Sequence, residues 1–113
     1  MDDRLPAQLE ASSLVRRAES EGGSGMILAR GDADRGALVL LIVHRGTHVA
    51  CLERQLGPHG DYAWARVGPA GGASDSEVGE WAQKRRRFDS DLWLIELDVP
   101  LPERFIAETT AIG

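Results

Sequence analysis

Apolar positions in the first twenty residues recur at a helical spacing. Ala7, Ala11, Leu14, Val15 and Ala18 fall at i, i+4, i+7, i+8 and i+11, which is one stripe on one helix face. Pro6 suits a first helical position, where its missing N–H costs nothing. The spacing predicts a helix from Pro6 to Glu19, ended by Gly22-Gly23-Ser24-Gly25. The period then changes to that of extended chain. Met26 to Ala29 is a short apolar run, followed by the polar loop Gly31 to Gly36. Ala37 to Val43 is continuously apolar and rich in branched residues, the pattern of a central strand buried on both faces. The turn Arg45-Gly46-Thr47 leads into a strand from His48 to Leu56. Tyr62 to Val67 alternates, with Tyr62, Trp64 and Arg66 on one side and the smaller Ala63, Ala65 and Val67 on the other.

Beyond the Gly68 to Ala73 stretch, expected to be a flexible loop, a helical period returns. Ser74-Asp75-Ser76-Glu77 reads as a capping box, with Ser74 as N-cap and Glu77 three residues on. The helix that follows places Val78, Trp81, Ala82, Arg85 and Phe88 on one face, and its last turn is basic, as the helix dipole favours. Leu92 to Val99 is a fifth strand with Trp93, Ile95 and Leu97 on one face, stopped by Pro100 and Pro102. Glu103 to Ala111 is expected to form a short C-terminal helix. The order α-β-β-β-β-α-β, with that last helix, predicts an α+β fold. Short connections between successive strands predict a mostly antiparallel five-stranded meander, with the helices packed on one face. The other face would then be free for a partner.

Composition narrows the class. The chain has 113 residues, enough for a single domain, here 1–113, with residues 1–4 expected to be disordered. Apolar residues make up 42% and charged residues 27%, ordinary values for a chain that builds its own core. The net charge of −5 argues against generic binding to nucleic acid or acidic membranes. One cysteine, Cys51, permits no internal disulfide and suits a reducing compartment. Met1-Asp2-Asp3-Arg4 lacks the apolar stretch of a secretory signal, and Ala37 to Val43 is too short to span a bilayer. A cytoplasmic location is expected, with no membrane partner.

Candidate chemistry is sparse. If Arg45-Gly46-Thr47 is a three-residue loop, His44 and His48 face each other across a hairpin, about 5 Å apart at Cβ, and could begin a zinc site. Cys51, three residues from His48, would lie on the other face unless a bulge intervenes. Cys51 has no base beside it in sequence, so a buried inert thiol is expected. The glycine clusters precede no Gly-Lys-Ser/Thr and match no phosphate loop. Lys84-Arg85-Arg86-Arg87 is the one dense basic run. Four consecutive helical residues spread around the axis, with Arg85 on the apolar face. Lys84, Arg86 and Arg87 are the candidates for contact with nucleic acid or another anion. Asp32 with Asp34, and Asp89 with Asp91, are spaced to share a face in extended chain, but Asp between glycines is favoured for turn chemistry alone. No catalytic residue and no cofactor is expected.

Four landmarks in order are distinctive: Leu5-Pro6-Ala7, Arg16-Arg17, Arg30-Gly31-Asp32-Ala33-Asp34-Arg35-Gly36 and Arg86-Arg87-Phe88-Asp89-Ser90-Asp91-Leu92-Trp93. With them the chain, from Leu5 to about Phe105, resembles the alphaproteobacterial family catalogued as domain of unknown function 1491. The resemblance implies a single-domain bacterial protein and carries no activity or functional residues with it. The residues themselves favour a non-enzymatic protein-interaction domain, its partner another copy or another protein. The alternatives are a nucleic-acid-binding module at 84–87 and a small metal-dependent enzyme around His44 and His48.

Overall fold

The computed structural model describes residues 5–111, so the expected disorder of residues 1–4 lies outside the described residues. Helix α1 (Ala7–Ser20) leads into β1 (Ser24–Ala29), β2 (Leu38–His44), β3 (Thr47–Leu56) and β4 (Tyr62–Val67). Helix α2 (Asp75–Phe88), strand β5 (Trp93–Asp98) and helix α3 (Pro102–Ala111) complete the chain. The element types and order agree with the sequence pattern, including the C-terminal helix and the reciprocal Ser74–Glu77 capping box.

The sheet is not a simple meander. Its order is β1-β5-β2-β3-β4, so β5 inserts between β1 and β2. It pairs antiparallel with β1 and parallel with β2, whereas β2, β3 and β4 form the expected antiparallel hairpins. The central pair, β2 and β5, carries the most apolar runs, as strands buried on both faces require.

Nor do the helices share one face. Leu40, Ile42, Leu52, Trp64, Trp93 and Ile95 pack under Ala7, Ala11 and Ala18 of α1 and under Phe105 and Ile106 of α3. Val39, Leu41, Cys51, Leu92 and Leu94 form the opposite layer, closed by Val78 and Ala82 of α2. The open second face expected from the sequence is therefore covered by α2. The helix also turns less of its surface inward than its period suggests: Phe88 is 81% exposed.

Inserting β5 forces the β1–β2 connection to cross over the start of that strand. Three hydrogen bonds fasten the crossing: Asp32 N–H to the Asp91 carbonyl (3.0 Å), the Trp93 indole N–H to the Asp32 carbonyl (2.7 Å), and Trp93 N–H to the Ala37 carbonyl (2.8 Å). The backbones touch so closely that a Cβ at Gly31 or Gly36 would stand 1.9 or 2.2 Å from the Asp91 carbonyl oxygen. The same loop caps α1, which has no side-chain N-cap. Asp34 and Ala33 carbonyls accept the N–H groups of Ala7 and Gln8.

Two arginines tie the helical layer down. Arg54 of β3 lies 4.7 Å over the Trp64 ring and makes a two-point ion pair with Glu10 of α1. Arg17 of α1 stacks 3.9 Å from the Phe105 ring centre and donates to the Thr109 hydroxyl.

Replacing Gly31 or Gly36 with alanine is expected to cost about 3 kcal/mol, because a backbone carbonyl cannot yield as a side chain does. Gly72→Ala, where φ is +87° but the space is open, should cost only about 1 kcal/mol. Urea denaturation midpoints of the three variants provide the comparison.

Candidate functional site

The histidine pair does not form. The β2–β3 hairpin closes with a two-residue turn, Arg45-Gly46, in which both residues have positive φ (50° and 80°). Asp98 secures it by accepting both turn N–H groups, at 2.9 and 3.0 Å. His44 therefore faces Thr47, and His48 faces Val43 across a bulge at Val49. Adjacent residues of β2 point to opposite faces, so His44 and His48 are on opposite sides of the sheet. Each ring donates to a carbonyl: His44 Nδ1 to Val99 (3.0 Å) and His48 Nε2 to Pro69 (2.9 Å). Among the described residues no group of three or more His, Cys, Asp or Glu is placed to hold a metal ion. His48 is buried; its Nε2 donates to Pro69, and its Nδ1 has no partner among the described residues.

The bulge also reverses the parity expected for Cys51. It shares the α2 side of the sheet with His48, since Leu41 and Val43, their cross-strand partners, share that side. Burial pushes the Cys51 thiol up from its ordinary 9.0 to about 11. That is the environment of an inert thiol rather than a nucleophile.

The basic run divides. Arg85 turns inward and pairs with Glu53 of β3. Arg86 folds back to donate to the carbonyls of Arg30 (3.2 Å) and Ser90 (2.9 Å), bracing the end of β1 against the turn before β5. Only Lys84 and Arg87 of the three anion candidates share a surface hollow, with Glu80 and Gln83 beside them. Of these candidates, Arg86 thus stands apart from Lys84 and Arg87. The aspartates are turn builders. Asp32 accepts the N–H groups of Asp34 and Arg35, and these bonds, that of Arg35 foremost, hold its carboxyl below the usual range. Asp89 accepts the N–H of Asp91.

Two further concavities flank α1. A cleft of about 300 Å³ lies at the start of α1, between Pro6, Glu10, Arg35 and the Arg54–Trp64 pair. The Arg54 guanidinium in it is already satisfied by Glu10. A groove of about 470 Å³ runs between α1 and β1, lined by Ser12, Val15, Arg16, Gly25, Met26 and Ile27. β1 is an outer strand of the sheet, with Met26 59% and Leu28 46% exposed. Sequence reasoning passed over this groove. The signal available was the pair Met26 and Leu28, apolar at alternate positions in a strand without charge.

Two outcomes follow from this chemistry. Cys51 is expected to resist a thiol reagent at pH 8 in the native protein and to react completely in denaturant. Its folded pKa is the higher one, so its contribution to stability is whole below about 9 and is lost as pH rises towards about 11. Arg86→Ala should cost about 0.5–1.5 kcal/mol through the two exposed carbonyl bonds it abandons, whereas Lys84→Ala and Arg87→Ala should stay within about 0.5 kcal/mol of wild type. Denaturant titrations report both.

Comparisons with known proteins agree with this structure. A crystal structure of a DUF1491 family protein from Caulobacter crescentus CB15 is similar with a TM-score of 0.74 at 23% identity, covering 86% of this chain and 90% of that one. A solution structure of a protein from A. tumefaciens gives 0.72 at 23%, covering 85% and 86%. An NMR structure of a DUF1491 family protein from Caulobacter crescentus CB15 gives 0.72 at 26%, covering 84% and 86%. No curated protein sequence matches the chain. The profile of the family described as "Protein of unknown function (DUF1491)" matches residues 5–107, and with the landmark loops meeting at the start of β5 the chain is a member of that family.

Proposed function

We propose that this chain is a small cytoplasmic protein-interaction domain, non-enzymatic, whose docking element is the outer edge of β1. The observation that carries the reading is the state of that edge. Sheet edges in soluble proteins are guarded by charge, proline or shortness, because free N–H and C=O groups pair with any extended chain. Ser24–Ala29 has six residues, no charge and no proline, and it exposes Met26 and Leu28. Its bulge lies near the C-terminal end, at Leu28, and leaves Ser24 to Ile27 in regular register. The opposite edge, β4, carries Arg66, paired with Glu103 of α3.

The roles found for the candidate polar groups support the same reading. His44, His48, Arg85, Arg86 and the aspartates each serve the fold through a named bond. No helix is long and apolar enough to cross a membrane among the described residues. A partner added to β1 gains main-chain hydrogen bonds and apolar cross-strand contacts with Met26 and Leu28.

The test is capture from native lysate after nuclease treatment, alongside sedimentation of the purified protein, for wild type and for the double variant Met26→Lys/Leu28→Lys. Both positions are exposed, so the variant should keep its fold and its circular dichroism. Partner capture, or self-association, is expected to fall at least about tenfold, since a desolvated lysine opposes strand addition. Complexes that persist unchanged in the variant would overturn the proposal. Nucleic acid retained before nuclease treatment and lost in Lys84→Ala/Arg87→Ala would assign the interaction to α2 instead.

A further inference from the structure

Resting on the docking function of β1, the geometry points to its occupant: an extended segment of another protein that alternates apolar residues with acidic ones. A strand added to β1 has two rows of side chains. One row lies on the α2 side of the sheet. There Met26, which pairs with Glu96 of β5, offers an apolar neighbour at the rim, and the exposed Leu28 lies beyond it in the bulge. Cross-strand apolar pairs are the favourable unit at such positions. The other row enters the groove against α1. Gly25 lies in the floor of this groove, where the Val15 methyls would stand 3.0 Å from a Cβ. With no side chain at that position, α1 packs directly against the backbone of β1 and forms the wall of the groove.

The walls above that floor are polar. Ser12 and Arg16, one turn apart on α1, line the groove. Arg16 is exposed and has no ion pair among the described residues, unlike its neighbour Arg17, which is held by Phe105, Thr109 and Glu21. A carboxylate on the incoming strand therefore meets an available guanidinium, which can donate to it in two-point geometry. The charge also discriminates between occupants. A second copy of β1, Ser24–Ala29, carries no acid to offer. Two-fold pairing would instead bring the Arg16 of both copies to the same side of one interface. An acidic-apolar strand satisfies both rows; β1 itself satisfies one.

The experiment uses the full chain and two labelled, end-blocked hexapeptides, one alternating valine with glutamate and one alternating valine with lysine. Fluorescence anisotropy measures the affinity, and amide shift mapping locates it. The glutamate peptide is expected to bind about threefold to tenfold more tightly than the lysine peptide, the range of one partly exposed ion pair with its hydrogen bonds. Shifts should be confined to Gly25–Leu28 and Ser12–Arg16. The preference should invert in Arg16→Glu, an exposed position whose change leaves the core intact. Equal affinities, or a preference unchanged in Arg16→Glu, would overturn the inference while leaving edge docking in place. So would self-association through β1 with neither peptide bound. Shifts that spare β1 altogether would overturn the docking function as well.

Discussion

Everything in this fold depends on the crossing of the β1–β2 loop over the start of β5. A strand from the end of the chain occupies the central position between two strands from its beginning. The connection between those two must then pass over its end without a gap, because Gly36, Leu92 and Trp93 are buried there and their backbone groups need partners. Gly31 and Gly36 make the approach sterically possible, and Asp32, Ala37, Asp91 and Trp93 supply the hydrogen bonds. The loop's remaining carbonyls close the open end of α1, so one crossing fastens the sheet, the first helix and the last strand together. Three of the four landmark segments by which the chain resembles its family meet at this place. Their shared role there is a fold requirement.

The charged residues follow the same logic. Arg54 and Arg85 reach across elements to a carboxylate in part-buried pairs, whereas Arg86 donates to carbonyls in exposed bonds. Partly buried pairs of this kind fix the register of helix on sheet; exposed ones contribute little. Arg16 and Arg17 illustrate the division within one dipeptide. Arg17 joins α1 to α3, while Arg16, 100° around the helix, overlooks the edge of β1. The surface that is chemically available is what remains after the fold has used its polar groups; it includes the groove beside β1 and the hollow of Lys84 and Arg87 on α2.

Strand addition suits such a surface because it asks little of the domain. The sheet supplies a rigid template, the helix supplies one wall, and the main chain supplies most of the bonding. In the proposed strand addition, specificity would come from alternate side chains, which would meet an apolar rim on one side and the Arg16 guanidinium on the other.

Local pattern was enough for every element. The 3.6-residue stripe of Ala7 to Ala18, the capping box at Ser74 and the unbroken run Leu38 to Val43 each specify their conformation through neighbours close in sequence, and the α+β class follows from their order. The parity of His44 and His48 was not legible, because it turns on a two-residue hairpin and a bulge at Val49 that shift side chains by one position. Strand order was not legible either. The short loops implied a meander, but burying Trp93, Ile95 and Leu97 on one side and Leu92 and Leu94 on the other demanded a central place for β5. The same demand placed α2 on the second face and left β1 outermost. Sequence thus determined which segments are helices, strands and caps, since those depend on periodicity and local hydrogen bonding. Tertiary structure decided which arginines are spent on packing and which strand edge stays open, since both depend on how segments far apart in the chain compete for the same buried space.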